Sequence, residues 1–297
     1  MSRIAIVGPG SVGVYFGAHL AAAGHEVVAC ARRAFTDYRV DSPTDPVAGP
    51  ATVVTDPSQL DGRPFDWVLV GVKAHQTAGA ADWISATCGP GAVAVVLQNG
   101  VEGVERVQPF VTGATILNSV VYCGAELLTP GHINHQSAGF LWLPDCPDAH
   151  RLADLSAPSV SFRPTSTFQT ELWRKLGINA AFNGITALTL RNISVVADPP
   201  VQALARAVLS EAWTIAREEG AELTDADVDS FLAGAVKIPQ GSKTSMLQDR
   251  VAGRPTEWDA LQGAVVRFGV KHGVATPYTT TLATLLEAGD RRVDTPR

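Results

Sequence analysis

The first third of the chain alternates short apolar runs, rich in β-branched residues, with stretches in which apolar residues recur at helical spacing. This alternation is typical of parallel βαβ units, because a helix must cross back between two parallel strands. The pattern therefore predicts a parallel sheet covered by helices. The predicted strands are Ile4–Val7, Glu26–Ala31, Trp67–Val72 and Ala92–Leu97, and the predicted helices are Val12–Ala23, Gln76–Ala86 and Val104–Phe110.

From Ala114 to Leu143 the pattern changes to strand-like runs that are broken at Pro130–Gly131 and at Ala138–Gly139. Such breaks favour antiparallel hairpins, which we expect to extend the sheet. A last strand is predicted over Val160–Phe162, and a polar link follows it over Arg163–Thr167. The α/β part is therefore expected to end at about residue 166.

Beyond that link the apolar residues recur only at helical spacing. The predicted helices are Glu171–Leu190, Pro200–Glu219, Asp225–Val236, Ser245–Val251, Glu257–His272 and Pro277–Ala288. The sequence thus predicts two domains, an α/β domain over residues 1–166 and an all-helical domain over residues 167–297. We expect the ligand site where two such halves meet.

The composition excludes several classes of protein. A chain of 297 residues with 46% apolar and 18% charged residues is an ordinary globular one, and its length favours two domains. The net charge of −6 and the absence of a basic run speak against nucleic-acid or anionic-membrane partners. No apolar run approaches the ~20 residues of a membrane helix. With no signal peptide and no disulfide-like cysteine spacing, the sequence predicts a cytoplasmic protein.

A glycine motif of the form GxGxxG lies between the first predicted strand and the first predicted helix. Gly8 permits a tight turn, Gly10 lets the backbone approach a pyrophosphate, and Gly13 packs the helix on the strand. A flexible turn is the alternative for this motif taken alone. With strand, helix and second strand in order, we interpret it as a Rossmann-type dinucleotide site. Its predicted binding residues are Gly8, Pro9, Gly10, Ser11, Val12 and Gly13.

The end of the second predicted strand indicates which dinucleotide binds. NAD-binding proteins place an acidic residue there, whereas an arginine accommodates the additional phosphate of NADP. Here Arg32 and Arg33 follow the strand, and the first acidic residue is Asp37. A guanidinium can bind a phosphate through two parallel hydrogen bonds. We therefore predict NADP bound by Arg32, with two solvated arginines as the alternative.

A polar stripe begins the helical half. Lys175, Asn179 and Asn183 are spaced four residues apart and therefore share one helix face. Asparagines in an apolar stretch must find hydrogen-bond partners in the protein or in a ligand. The alternative is that both asparagines bond neighbouring helices and Lys175 extends to water.

The segment ELWRKLGINAAFN, Glu171–Asn183, closely resembles the signature helix of the ketopantoate reductase (2-dehydropantoate 2-reductase) family. The resemblance covers nearly the whole chain in order, and the combination of ELWRKL with a downstream SMLQD is specific. Further matching segments are Val72–Ala74, Leu97–Gly100, Ser245–Asp249 and Pro255–Asp259.

The resemblance implies that the chain reduces ketopantoate to pantoate with NADPH, in the synthesis of pantothenate and coenzyme A. It implies that Lys175 is the general acid that protonates the carbonyl oxygen. An ammonium group suits this role because it polarises the carbonyl and then supplies the proton. Asn179 and Asn183 would bind the substrate's polar oxygens.

The resemblance also implies roles for residues outside this helix. Lys73 and Asn99 would contact NADPH, and Asn99 the substrate as well; solvated loop residues are the alternative. Ser245 would bind substrate, although Ser245 and Gln248 also fit a capping box at a helix start. Glu257 would reach the cofactor or a substrate hydroxyl, while as a first-turn acid it also complements a helix dipole.

Two departures from the family pattern lie near the substrate residues. Gly184 stands where family members commonly have proline, and the stretch that contains Asn192 lacks the usual Pro-Asn-Gly turn. A different 2-oxo acid is therefore the alternative substrate, and a noncatalytic NADP-binding sensor is a second alternative. A homodimer is expected. His132 and His135 have no ligand-like neighbours in sequence, so no metal site is predicted.

Overall fold

The computed structural model describes residues 1–235, 241 and 243–291. The chain divides into two compact units, Met1–Phe168 and Gln169–Arg297. The strands in the described residues are β1 (Arg3–Val7), β2 (Glu26–Cys30), β3 (Asp37–Asp41), β4 (Val47–Pro50), β5 (Thr52–Val54), β6 (Trp67–Val70), β7 (Val93–Val96), β8 (Thr115–Asn118), β9 (Val120–Thr129), β10 (His132–Pro144) and β11 (Ser161–Thr165). The α-helices there are α1 (Ser11–Ala22), α2 (Ala81–Thr87), α3 (Gly103–Val107), α4 (Pro147–Ala153), α5 (Phe168–Thr189), α6 (Pro199–Glu218), α7 (Asp225–Ala235), α8 (Ser245–Val251), α9 (Ala264–His272) and α10 (Pro277–Asp290).

The first sheet is parallel and has the strand order β5-β2-β1-β6-β7-β8. Strand β1 lies inside it, and its side chains alternate between two apolar clusters. Ile4 and Ile6 belong to one cluster, while Ala5 and Val7 belong to the other. A strand buried on both faces has a continuous apolar sequence rather than an alternating one. The predicted α/β fold with a parallel sheet is confirmed.

The expectation that the later hairpins extend this sheet is wrong. Strands β9 and β10 do form an antiparallel hairpin at Pro130–Gly131, but β10 lies in a second sheet of order β11-β10-β3-β4. The break expected at Ala138–Gly139 is a register irregularity within β10. The cause is the short β3–β4 hairpin, which the sequence analysis missed. The backbone of β3 pairs with β10, and its buried Tyr38 and Val40 belong to the same apolar cluster as Ile133 of β10.

Several predicted boundaries of the first unit also change. The helix predicted from Gln76 begins as two 3₁₀ turns, and only α2 is α-helical. The helix predicted to reach Phe110 ends at Val107, where Pro109 removes a backbone donor and a 3₁₀ turn follows. Strand β11 covers most of the predicted polar link Arg163–Thr167. Helix α4 was not predicted.

The described part of the second unit contains helices and loops, as predicted for the helical half. The end of the predicted helix Asp225–Val236 lies outside the described residues. The helix predicted over Glu257–His272 differs, because it begins with a π-helical turn over Asp259–Gly263 and becomes α-helical as α9. Its wide turn is visible in the bond from the Gly263 N–H to the Trp258 carbonyl, 2.9 Å. Such π turns often accompany functional sites.

A buried carboxylate holds the start of α10. The Glu211 side chain on α6 accepts the backbone N–H groups of Tyr278 and Thr279 at 2.9 and 2.8 Å, and it also accepts the Thr279 hydroxyl. These donors belong to the first turn of α10, which has no helical acceptors for them. Glu211 therefore joins two helices of this unit through a charge-assisted cap.

Candidate active site

The glycine motif forms a tight turn between β1 and α1. Gly8 has φ of 86°, and the Gly10 N–H donates to the Gly8 carbonyl at 2.8 Å. A side chain on Gly8 would overlap Val72, whose backbone nitrogen would be 2.8 Å from the added Cβ. A Cβ on Gly13 would be 2.7 Å from the Gly8 carbonyl oxygen. The protein's own packing therefore requires glycine at positions 8 and 13.

Gly10 differs from those two glycines. It has an ordinary φ of −75°, and apart from its two chain neighbours no described residue lies within 4 Å of a Cβ built on it. Neither backbone strain nor packing within the described chain explains a glycine here. It is the N-cap residue of α1, whose first turn carries no acidic side chain and leaves N–H groups for an anion. These features fit a dinucleotide pyrophosphate that approaches the backbone closely at Gly10.

The other predicted cofactor residues of the first unit lie at the same edge of its sheet. Val7 pairs with Cys30 and with Val70, and Val70 pairs with Val96, so the four parallel strands end side by side. Ligands in open α/β folds bind at this carboxyl edge. We call it the glycine edge. Its candidate residues are those of the turn and helix start that follow β1, namely Gly8, Pro9, Gly10, Ser11, Val12 and Gly13, together with Arg32, Lys73 and Asn99, each of which lies within three positions of the end of its strand.

Exposure differs among the residues of the glycine edge. Arg32 is exposed beyond β2, as its predicted role of binding a phosphate requires. Lys73 and Asn99 are half-buried beyond β6 and β7. Lys73 caps a 3₁₀ turn, since the Gln76 N–H donates to its carbonyl at 2.8 Å. Its backbone is thus held in a defined turn.

In the second unit, α5 has two different faces. Lys175, Asn179 and Asn183 form the polar face of α5, with Lys175 half-buried. Asn179 and Asn183 are only 8% and 6% exposed. Amides buried to this degree require hydrogen-bond partners, so their placement is constrained. The structure therefore brings these three predicted residues together on one helix.

The opposite face of α5 carries Gly177 and Gly184, on which neighbouring side chains pack. A Cβ on Gly177 would lie 2.5 Å from the Trp213 Nε1, and one on Gly184 would lie 2.7 Å from the Gln262 Nε2. That Gln262 nitrogen donates to the Ala180 carbonyl at 2.7 Å. The absence of the family proline at 184 thus coincides with a buried glutamine that fills the space and bonds the helix backbone.

Ser245 lies beside the polar face of α5, because the Asn183 Nδ2 donates to its Oγ at 3.5 Å. Its predicted capping box is wrong. The capping residue of α8 is Thr244, whose Oγ1 accepts the Leu247 N–H at 3.2 Å. Because the preceding residue already caps the helix, the exposed Ser245 hydroxyl is not needed for that purpose.

Glu257 and Asn192 occupy different settings. Glu257 is buried and precedes the π turn Asp259–Gly263, so the expected first α-helical turn at Glu257 is wrong. Asn192 accepts the Ser194 N–H at 3.1 Å and caps a 3₁₀ turn. Its oxygen therefore has a structural role. Leu190, two residues before it, adopts φ of 55°, in the left-handed region that favours glycine.

Sequence reasoning missed two glutamines that adjoin the candidate residues. Gln98 precedes Asn99, and Gln262 contacts α5 at Ala180 and Gly184; they are 4% and 0% exposed, respectively. The available signal was an amide inside an apolar run, which burial obliges to form hydrogen bonds.

Burial shifts the acid–base properties of groups beneath the glycine edge. It lowers the pKa of His19 on α1, against the opposing effect of Asp45, and the nearby His135 lowers it further. Burial also raises the pKa of the Cys30 thiol at the end of β2 to about 12. Both groups are therefore neutral near pH 7.

Two features are absent from the described residues. No cluster of three or more His, Cys, Asp or Glu side chains in them could hold a metal ion. None of the helices described has both the length and the apolar character needed to cross a membrane.

The fold and the glycine turn define the class as an α/β protein of the dinucleotide-binding type with a helical second unit. Comparison with known proteins narrows this class. Residues 4–148 match the family described as Ketopantoate reductase PanE/ApbA, and residues 167–290 match its counterpart, Ketopantoate reductase PanE/ApbA C terminal. The chain belongs to the ketopantoate reductase family, whose members are oxidoreductases.

Individual relatives match along nearly their whole length. A 2-dehydropantoate 2-reductase of Mycobacterium tuberculosis H37Rv is 38% identical, over 96% of this chain and 97% of that protein. One of Caulobacter vibrioides is 34% identical, over 97% of this chain and 99% of its own. The solved 2-dehydropantoate 2-reductase of Geobacter metallireducens GS-15 gives a TM-score of 0.89 at 29% identity, covering 96% and 99% of the two chains.

Proposed function

We propose that this protein reduces the keto group of 2-dehydropantoate with NADPH and yields pantoate. The observation that carries the proposal is the polar face of α5, where an amine and two buried amides share one side of a helix. Family membership and the names of the full-length relatives support this activity.

When bound, NADPH supplies the hydride. We assign its pyrophosphate to the open turn at Gly10 and the start of α1, and its 2′-phosphate to Arg32. Lys73 and Asn99 would hold the rest of the cofactor at the glycine edge, and Glu257 is assigned a further cofactor contact. The support for this assignment is the fit at Gly10, the only glycine of the motif that the described packing does not explain.

Lys175 is assigned the role of general acid. Its Nζ would donate a hydrogen bond to the keto oxygen, polarise the carbonyl, and release a proton to the alkoxide that forms. The side chain is half-buried, which limits competition from water for that hydrogen bond.

Asn179, Asn183 and Ser245 are assigned to the substrate. The amide Nδ2 groups can donate to the carboxylate and hydroxyl oxygens of a 2-oxo acid, and Asn99 is assigned to substrate as well as cofactor. The 3.5 Å contact between Asn183 and Ser245 supports a shared role, since both groups can face one small anion.

A substrate panel tests the proposal. NADPH oxidation would be followed at fixed enzyme concentration with ketopantoate, pyruvate and branched 2-oxo acids, and then with NADH in place of NADPH. We expect the highest kcat/KM for ketopantoate with NADPH. A preference for another 2-oxo acid would refute the substrate assignment. If the protein binds NADPH but turns over none of the acids, the result would favour the sensor alternative.

The cellular role rests on the same proposal. Restored growth of a pantothenate auxotroph that lacks ketopantoate reductase would support a place in pantothenate and coenzyme A synthesis. A homodimer and a cytoplasmic location stay predictions. Light scattering during gel filtration measures the mass of the assembly, and cell fractionation measures the location.

A further inference from the structure

Gln98 is a buried side chain that joins two loops of the glycine edge. It directly precedes Asn99 and is 4% exposed. Its Nε2 donates to the Val72 carbonyl at 3.1 Å and to the Thr77 Oγ1 at 2.7 Å. Val72 and Thr77 flank Lys73 and the 3₁₀ turn that Lys73 caps. The Gln98 carboxamide, in the loop after β7, therefore forms hydrogen bonds to the loop after β6.

The orientation of this carboxamide follows from its neighbours. The Thr77 hydroxyl donates its proton to the Ala74 carbonyl at 2.8 Å, so it can only accept from Gln98. The Val72 carbonyl is likewise an acceptor. Both partners require a donor, and only the nitrogen end of the carboxamide can supply one. The Gln98 Oε1 then points the other way and is buried, with no hydrogen-bond partner among the residues that the structure describes.

Val72 connects this bond to the glycine turn. A Cβ on Gly8 would collide with Val72, so the glycine turn and the Val72 backbone are in close contact. The next residue along the chain is Lys73. A shift of the Val72 carbonyl would therefore change the direction in which Lys73 leaves the sheet edge.

We propose that Gln98 is a positioning residue that fixes Lys73 for cofactor binding through the Val72 carbonyl and Thr77. This inference deepens the proposed function and rests on it, because it assumes that Lys73 contacts NADPH. If residue 98 only filled space in the core, an amide would not be needed. Methionine has a similar length, fills the same volume and buries no unpaired oxygen. The amide is explained by the two loop contacts that it makes.

Titration of NADPH fluorescence against the full-length protein tests this proposal without requiring turnover. Gln98→Met should raise the NADPH Kd about three- to tenfold, the range that corresponds to loss of a buried hydrogen bond. Thr77→Val should raise it in the same direction. In a Lys73→Ala background, adding Gln98→Met should change the Kd less than about twofold, because coupled residues are not additive.

Thr87→Val is the matched control. It removes a buried hydroxyl that bonds the Trp83 carbonyl at 2.7 Å, but at the end of α2, where the chain turns back toward the amino end of β7. Its NADPH Kd should equal that of the unaltered protein, and melting curves of every variant establish that it is folded.

Either of two results would overturn this inference and leave the proposed function standing. One is unaltered NADPH affinity in both Gln98→Met and Thr77→Val; the other is a Gln98→Met effect of equal size with and without Lys73. If the unaltered protein did not bind NADPH, the proposed function would fail together with this inference.

Discussion

The glycine edge and the polar face of α5 gather their residues in different ways. The glycine edge takes them from positions 8–13, 32, 73 and 99, which lie in four separate segments. Parallel strands in register bring these segments together. The polar face takes Lys175, Asn179 and Asn183 from a single helix of 22 residues.

This difference determines which substitutions disturb each set of residues. A helix face needs only the 3.6-residue period and a packing side that allows neighbours to approach. On α5 that side is formed by Gly177 and Gly184. The glycine edge instead depends on loops, whose backbones are held by glycine turns and by bonds such as those of Gln98. Substitutions should accordingly act on chemistry at α5 and on cofactor binding at the glycine edge.

The largest effect is expected on the polar face of α5. Lys175→Ala should lower kcat with ketopantoate by about two to four orders of magnitude, because the proton donor is lost. The NADPH Kd, measured in parallel, should change much less. Lys271→Ala, which removes an exposed ammonium paired with Glu219 at 2.5 Å, is the control and should retain kcat. A loss of less than about tenfold in Lys175→Ala would exclude the general-acid assignment.

At the glycine edge, Arg32→Ala should weaken NADPH binding about ten- to a hundredfold, as expected for the loss of charge-assisted hydrogen bonds to a phosphate. NADH has no 2′-phosphate, so its Kd should hardly change. The neighbouring exposed Arg33→Ala provides the control. Equal weakening of NADPH and NADH would contradict the phosphate assignment.

Two glycines of the same turn should respond differently. Gly8→Ala requires a side chain at φ of 86° against Val72, and it should lower the free energy of unfolding by about 1–3 kcal/mol. Gly10→Ala meets open space and an ordinary φ, so its thermal midpoint should be unchanged. Its NADPH affinity should fall about tenfold, a steric cost near 1.4 kcal/mol. If Gly10→Ala bound NADPH normally, the pyrophosphate would have to be placed elsewhere.

Helix α1 beneath this turn should make stability depend on pH. Burial lowers the pKa of His19, so the unfolded chain binds a proton more readily than the folded one. The free energy of unfolding should therefore be highest above the unfolded pKa of about 6.5 and should fall as the pH drops below that value. In urea unfolding, the free energy of unfolding of His19→Phe should fall less between about pH 8 and about pH 5.5 than that of the unaltered protein. His150 is exposed, and His150→Gln is the control: its free energy of unfolding should fall as much over this pH range as that of the unaltered protein.

The smallest effect is expected where α5 ends. Leu190 is exposed and has φ of 55°, so Leu190→Gly relieves a left-handed conformation and sacrifices little packing. The free energy of unfolding should rise by about 0.5–1 kcal/mol. Leu188→Gly, inside the helix, should instead lower it by about 1 kcal/mol or more. Destabilisation by Leu190→Gly would mean that the Leu190 side chain has a packing role.

Sequence patterns predicted the four inner strands of the first sheet, β2, β1, β6 and β7, because these strands are buried on both faces and appear as apolar runs. The second sheet was misplaced for the opposite reason. Strand β3 reads DYRVD, and only Tyr38 and Val40 carry its apolar signal. Five such residues could equally form a loop, and pairing with β10 decides the matter.

The candidate residues divide in a similar way. The stripe of Lys175, Asn179 and Asn183 and the glycine turn were visible in the sequence, because local geometry generates them. The roles of Thr244 and Gln262 were not visible. Thr244, rather than Ser245, caps α8, and Gln262 reaches α5 from a π turn that an α-helical pattern does not reveal.

By itself the sequence determined the α/β and helical halves, the glycine turn and the spacing of the polar face, since each depends on near neighbours along the chain. Only the tertiary structure decided that β10 joins β3 in a second sheet, that Gly10 faces open space, and that Gln98 bonds the Lys73 loop. These features depend on contacts between segments far apart in sequence, which no local period encodes.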